Sequence, residues 1–186
     1  MIPMPEGVTK INELKNTGYQ LLIATNIGVV VYNPRTFKSE VVSVQNPNQP
    51  IAEVKKIYVD SKDQLWAFTD GMGLTIINPN TLEKKWLFAD QENPALRTVS
   101  EKYFIMEDEH NTLWMIPNGG TFSYYDRAKK ELVPYVLQSN SQGNASIPKI
   151  TKYVISDQKI LWVTGIHDLT QINFKYHEYT LSQVEN

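Results

Sequence analysis

The sequence predicts an all-β fold of four tandem repeats, each folding as a four-stranded antiparallel sheet. Trp66, Trp114 and Trp162 stand 48 residues apart, each directly after a leucine. Segments of about 4–8 residues, rich in Val, Ile, Tyr, Phe, Trp and Thr, alternate with Gly, Asn, Asp and Pro, as short strands and turns do. Helical spacing of apolar residues is not sustained over any long window. A period in the forties with four short strands is typical of β-propeller blades, so we predict a partial propeller or half of a ring.

The strands of each repeat are named A to D in chain order. In the second repeat they are predicted from Lys56 to Asp60, Leu65 to Thr69, Leu74 to Asn78 and Lys84 to Ala89, and strand D of the third repeat from Leu132 to Gln138. Each strand C is predicted to end near Asn33, Asn78, Asp126 or Asn173. The chain is predicted to be a single propeller segment of residues 1–186, with blades at about 8–46, 51–91, 98–140 and 148–184.

The residues that recur in the repeats are predicted to be structural. The sheets of a propeller are covered by neighbouring blades, so the strand B tryptophan is expected to be buried between sheets. An Asp that follows strand A can accept hydrogen bonds from the backbone of its own turn. A residue that every blade carries is usually needed by the blade itself. The predicted structural set is Leu22, Trp66, Trp114 and Trp162 with Asp60, Asp108 and Asp157.

The second repeat carries the fullest form of the pattern, VDSKDQLWAFTDGMGLTIINP at residues 59–79. Its order of Asp, a polar turn, Leu-Trp, Thr, Gly-Leu and Asn-Pro resembles the two-component regulator propeller repeat. The third repeat lacks the Thr and the Gly-Leu, and the first repeat lacks the Trp. The resemblance implies the periplasmic sensor region of a Bacteroides-type hybrid two-component regulator, which binds carbohydrate fragments and signals to a kinase elsewhere in the full-length protein.

Composition and motifs argue against several other functions. A net charge of -2 without a basic run disfavours nucleic acid. The absence of Cys excludes disulfides and thiolate sites, and the three His lack metal-ligand spacing. Nucleotide-binding and hydrolase motifs are absent, so we expect no enzyme, no metal and no cofactor. No membrane contact is expected, because no apolar run could span a bilayer and the N-terminal MIPMPEGV lacks the pattern of a signal peptide.

The loops between strands B and C and between blades lie on one face of a propeller, around its channel. Their amide and carboxylate groups can match the donors and acceptors of sugar hydroxyls. The same residue types also form turns, so turn formation is the alternative role. His167 and Asp168 are the one candidate acid–base pair, but neighbours on a strand point to opposite sides. The predicted ligand-binding residues are Asn26, Asp70, Met72, Asn118, His167 and Asp168.

Two functions remain open at this level. The first is a sensor segment with an oligosaccharide partner, and the second is a structural or protein-interaction propeller without a small ligand. The first and fourth blades each have an outer face that no neighbour in the sequence covers. We therefore expect a homodimer, joined first blade to fourth, or packing on further blades of the parent protein. The bulky Tyr58, Phe104 and Tyr153 of the A strands disfavour closure of four blades into a ring.

Overall fold

Antiparallel strands account for all regular secondary structure in the part of the chain that the structure describes, and they confirm the all-β prediction. The computed structural model describes residues 2–44, 52–69, 73–87, 104–116, 122–134, 137–139, 143–145, 152–158, 160–164, 168–174 and 178–183. Within these ranges no helix is present. Four sheets of four strands follow one another along the chain, with the strands of each sheet in sequential order. We call these sheets blades 1 to 4.

The bounds of the strands are as follows. Blade 1 contains β1 (Ile11–Asn16), β2 (Leu21–Thr25), β3 (Gly28–Asn33) and β4 (Lys38–Val42). Blade 2 contains β5 (Val54–Val59), β6 (Leu65–Thr69), β7 (Gly73–Ile77) and β8 (Lys84–Leu87). Blade 3 contains β9 (Phe104–Glu107), β10 (Leu113–Ile116), β11 (Ser123–Asp126) and β12 (Glu131–Pro134). A hairpin of β13 (Leu137–Ser139) and β14 (Gly143–Ala145) precedes blade 4, which contains β15 (Lys152–Ile155), β16 (Ile160–Thr164), β17 (Asp168–Asn173) and β18 (Glu178–Gln183).

The chain divides into two compact units, residues 1–103 with blades 1 and 2 and residues 104–186 with blades 3 and 4. In the first unit, alternate residues of β2, β3 and β6, with residues of β4, β5 and β7, point into an apolar layer between the two sheets. Hydrogen bonds also join blade 2 to the residues that follow blade 1, because the Thr75 hydroxyl and the Trp86 indole both donate to the Val44 carbonyl. The layer consists of Leu22, Ala24, Val29, Val31, Val42, Val44, Val54, Ile57, Leu65, Ala67 and Ile77.

In the second unit an aromatic cluster joins blades 3 and 4. The Trp114 ring stacks on Phe122 of its own blade, with centroids 5.3 Å apart, and lies 5.2 Å from Phe174, which directly follows β17 of blade 4. Phe104 meets Tyr153 of blade 4 edge to face at 5.0 Å. Aromatic pairs at such distances stabilise the fold beyond the contribution from burying their apolar surface. The predicted interblade role of Trp114 is therefore confirmed.

The turns between strands A and B are built around an aspartate in blades 2 and 3. The Asp60 carboxylate accepts hydrogen bonds from the backbone N–H groups of Lys62 and Gln64 through Oδ1 and from the Trp66 indole through Oδ2. Asp108 accepts from the backbone of His110 and Thr112 and from the Trp114 indole in the same way. Both aspartates are buried. The predicted structural role of these residues is thus confirmed, with the indole as an additional partner.

Blade 4 departs from this pattern, and two predictions for it are wrong. The residue six positions before Trp162 is Ser156, whose hydroxyl accepts from the Ile160 backbone, whereas Asp157 is exposed in the turn. Trp162 pairs with Val154 and so holds the register position of Trp66 and Trp114, but 37% of it is exposed. Its neighbours Leu161 and Val163 pack on blade 3, so Trp162 lies on the opposite face of blade 4.

The connection after blade 3 also differs from the prediction. Strand D of this blade ends at Pro134, not at Gln138, and Leu137–Ser139 pairs with Gly143–Ala145 in the separate hairpin. Leu137 and Gln138, predicted as the end of strand D, therefore belong to this hairpin. Proline lacks the backbone N–H that a continued strand would use, which accounts for the end of β12 at this residue.

Candidate functional site

The structure describes only part of the predicted ligand-binding set. Asp70, Met72, Asn118 and His167 lie outside the described residues. Asp168 begins β17, but its side chain is not among those described. A ligand-binding role for these five residues therefore stays a prediction.

Asn26 lies in the turn between β2 and β3, as expected, and its side chain holds the N-terminal segment. The amide Oδ1 accepts hydrogen bonds from the backbone N–H groups of Thr9, at 2.9 Å, and Lys10, at 3.0 Å. The Nδ2 group donates to the Gly7 carbonyl at 3.0 Å. These bonds use both lone-pair positions of the oxygen and one of the two N–H donors. Asn26 thus has a structural role, while contact with a ligand stays a prediction for this residue.

A polar cluster of four side chains lies beside Asn26, at the end of blades 1 and 2 that carries the turn between strands B and C. We call it the Glu53 cluster: Lys10, Asn12, Glu53 and Lys55. The Glu53 carboxylate lies 2.7 Å from the Lys10 ammonium and 3.0 Å from the Lys55 ammonium. It also accepts a hydrogen bond of 2.8 Å from Asn12 Nδ2. Four groups with donors and acceptors therefore converge at one rim of the first unit.

Irregularities in the A strands position this cluster. The ladder between β1 and β2 shifts register between Ile11 and Glu13, and the ladder between β5 and β6 shifts between Val54 and Lys56. Such a bulge locally disrupts pairing and redirects a side chain. Asn12 and Lys55, the residues inside the two shifts, both reach Glu53.

Further hydrogen bonds fix the two A strands against each other. Asn12 Nδ2 donates to the Val54 carbonyl at 2.7 Å, and the Glu13 carboxylate accepts from the Ile57 N–H at 2.6 Å. In both bonds a side chain of blade 1 is paired with a backbone group of blade 2. The cluster is consequently held on two strands, β1 and β5, which cannot move apart without breaking these hydrogen bonds.

The charges of the cluster reinforce one another. The hydrogen bond from Lys10 lowers the pKa of the Glu53 carboxyl from 4.5 to about 2, with contributions from Asn12 and Lys55 and against the effect of burial. Glu53 is therefore ionised at neutral pH, which makes it an acceptor and not a general acid. The Lys10 side chain is 55% exposed and presents its donors to solvent. The arrangement is suited to binding hydroxyl or acidic groups of a polar ligand.

The Glu53 cluster was not predicted from the sequence. None of its four residues is in the predicted ligand-binding set, and Lys10 and Asn12 lie at the start of the first blade, away from Glu53 in the sequence. A lysine or glutamate beside a strand is normally a solvated residue, so composition gives no signal for convergence. The two matching bulges that bring the groups together have no marker in the sequence.

Metal binding finds no support in the described residues, where no group of three His, Cys, Asp or Glu side chains is placed to hold an ion. In the same part of the chain no helix is long and apolar enough to cross a membrane.

Neither a family model nor a curated protein matches the chain. Solved structures do. The extracellular domain of BT3049, described as a hybrid two-component system of B. thetaiotaomicron, superposes with a TM-score of 0.59 at 19% identity, over 99% of this chain and 26% of that one. The extracellular domain of BT4673 from the same organism gives 0.59 at 16% identity, over 98% and 26%. The WD40 repeats of RRP9 give 0.60 at 8% identity, over 97% and 52%.

These neighbours identify the fold as an array of β-propeller blades, as the repeat predicted. The chain spans about a quarter of the length of the two extracellular domains. Extracellular domains of Bacteroides hybrid two-component systems are thus among its structural neighbours, in agreement with the resemblance of residues 59–79 to the two-component regulator propeller repeat.

Proposed function

We propose that this chain is a non-enzymatic sensor segment of a hybrid two-component regulator and that it recognises carbohydrate fragments in the periplasm. Two independent likenesses support the sensor assignment. The repeat at residues 59–79 resembles the regulator propeller repeat, and solved neighbours include extracellular domains of such systems. Signalling activity would belong to other parts of the full-length regulator.

The observation that supports ligand recognition is the Glu53 cluster. Its ammonium, carboxylate and amide groups are the kinds of donors and acceptors that pair with sugar hydroxyls, and its two lysines would favour an acidic sugar. The cluster lies at the end of the blades that surrounds the channel mouth in a propeller. Its groups are already oriented by hydrogen bonds, which reduces the entropy lost on binding.

Calorimetric titration of the full chain with neutral, uronic-acid and sulfated oligosaccharides tests the proposal. We expect at least one saccharide to bind, and Lys10→Ala and Glu53→Gln to weaken its binding about tenfold or more, as for the loss of a charge-assisted hydrogen bond. Lys62→Ala is the matched control, because Lys62 is an exposed lysine in the turn at the other end of β5. Absence of binding across the panel, or equal affinity for all variants, contradicts the proposal.

A protein-interaction segment without a small ligand is the second candidate, and one observation favours it. Val154 and Trp162 are 65% and 37% exposed on the same face of blade 4, where apolar side chains are available to a macromolecular partner. In that case the saccharide panel gives no heat, and the Glu53 cluster serves only to join blades 1 and 2.

A further inference from the structure

The N-terminal segment lies across the outer face of blade 1, the face turned away from blade 2. The Ser39 hydroxyl, on β4, donates to the Pro3 carbonyl at 2.8 Å, and Asn26, in the turn before β3, donates to the Gly7 carbonyl at 3.0 Å. Ser39 pairs with Tyr32 near the far end of β3. The stretch from Pro3 to Gly7 therefore has about the length of β3, at about 3.3 Å per residue, and runs antiparallel to it. We call residues 3–8 the strap.

Apolar residues of the outer face are buried at the position the strap crosses. Ile23 and Val30 pair with each other and alternate with the residues that pack on blade 2, so they belong to the outer face. Their exposures are 2% and 0%. Nearer the edge formed by β1, Leu14 pairs with Ile23 and is 57% exposed. The burial of Ile23 and Val30 and the exposure of Leu14 are those expected if the strap covers the centre of this face and not its edge.

On the outer face of blade 4, no segment among the described residues forms such a cover. Trp162 and Val154 lie there and are exposed to solvent. In blade 3 the residue at the same register position, Trp114, contacts the next sheet through Phe174. A tryptophan at this register position thus packs on the following sheet in blade 3. Trp162 faces away from blade 3 and does not pack on it.

We propose that the strap competes with blade 4 of a second copy for the outer face of blade 1. While the strap is bound, head-to-tail association of two copies is blocked. When it is displaced, Ile23, Val30 and Leu14 form an apolar face that packs on Val154 and Trp162 of the second copy. The contact repeats the packing of sheet on sheet that joins the blades within each unit.

The area available sets the strength of this contact. A sheet of four strands and five residues covers about 320 Å² per face, so one contact of blade 1 with blade 4 of a second copy buries about 650 Å². An interface of this size is weak, so self-association through it is expected to depend on protein concentration.

Light scattering on strap variants tests this proposal. We expect the native chain to run as a monomer near 21.3 kDa. Deletion of residues 2–7 retains Lys10 and the Glu53 cluster, and should tighten self-association about tenfold or more, so that the mean mass rises toward that of a dimer with protein concentration. Val154→Ser with Trp162→Ser in the deletion background should restore the monomer. Phe37→Ser removes another exposed apolar side chain, from a turn of blade 1, and should leave the dimer intact.

A folded deletion variant that stays monomeric up to about 100 µM, where weak interfaces become populated, overturns the proposal. A dimer that survives the double serine substitution also overturns it, because the partner face is then not blade 4. Circular dichroism establishes that each variant is folded. If the deletion does not fold, Asn26→Ala with Ser39→Ala, which removes only the strap's side-chain anchors, is judged by the same two criteria. Saccharide binding is measured separately on the same variants, so either proposal can fail alone.

Discussion

The Trp66 indole donates a hydrogen bond of 2.9 Å to the buried carboxylate of Asp60, and Trp114 donates one of 2.8 Å to Asp108. Each aspartate thereby joins the turn after strand A to the buried tryptophan of strand B. We expect Asp60→Ala to lower the free energy of unfolding by about 2–4 kcal/mol, since it leaves one indole and two backbone N–H groups without this acceptor. Asp157→Ala, in the corresponding turn of blade 4, should change it by less than about 0.5 kcal/mol. Denaturant melts compare the two, and equal losses would contradict the structural role of Asp60.

The tryptophans of blades 3 and 4 offer a second comparison. Trp114 is buried among Phe122, Phe174 and Tyr124, so Trp114→Ala should cost about 3–5 kcal/mol of unfolding free energy. Trp162→Ala removes a side chain that is already exposed on one side and should cost about 1 kcal/mol. The measurement is chemical denaturation followed by circular dichroism. A larger cost for Trp162→Ala than for Trp114→Ala would show that the two faces of the second unit are misassigned.

Gly28 begins β3 with a φ of 134°, and a Cβ at this position would lie 2.6 Å from the Val42 carbonyl oxygen. Gly28→Ala should therefore destabilise the chain by about 2 kcal/mol or more, from backbone strain and from this close approach. Gly18 also has a positive φ, of 91°, but has open space around it. Gly18→Ala should cost only about 1 kcal/mol. Thermal melts of both variants, side by side, separate strain from collision.

Phe37 is 71% exposed and has a φ of 58° at the turn between β3 and β4. The turn itself is held by Asn33, whose carbonyl accepts from the Phe37 N–H. Asparagine adopts this backbone region more readily than phenylalanine, so Phe37→Asn should stabilise the chain by about 0.5 kcal/mol. Phe37→Ala keeps the strain and serves as the control. A lower midpoint of unfolding for Phe37→Asn than for Phe37→Ala would refute this account of the turn.

The Glu53 carboxyl has a pKa lowered to about 2. A lowered pKa stabilises the folded chain at pH values above 4.5, and that stabilisation is lost as the pH falls toward 2. Because the group is partly exposed, we expect a loss of about 1 kcal/mol or less between pH 6 and pH 2.5. Glu53→Gln should lack this component. Urea melts of both proteins across that interval would contradict the prediction if their pH dependences were the same.

The sequence was sufficient for the repeat and the strands, because Trp66 and Trp114 combine a fixed period with an apolar environment that any blade needs. The prediction was wrong at Asp157, because the residue type was given more weight than the spacing. Ser156, not Asp157, lies six residues before Trp162, as Asp60 does before Trp66. The sequence also failed to predict the exposure of Trp162, because a repeat pattern does not say which face lacks a neighbour.

The candidate site could not be predicted for a different reason. Glu53 and Lys55 come from one strand and its approach, and Lys10 and Asn12 from another, so their convergence depends on the packing of β1 against β5. That packing is set by two bulges, whose positions depend on tertiary contacts and not on local propensity. The amide of Asn26 was recognised as a loop group, but its backbone partners lie 16 to 19 residues away.

The hydrogen bond between Asp60 and Trp66 closes a loop of only six residues, and the same is true of Asp108 and Trp114. Loop closure over so few residues costs little conformational entropy, so these hairpins can form early and independently during folding. Blade 4 has a serine in place of the aspartate and lacks this local nucleus. Its strands depend on the aromatic cluster shared with blade 3, and its amide protons are accordingly expected to exchange with solvent first in the second unit.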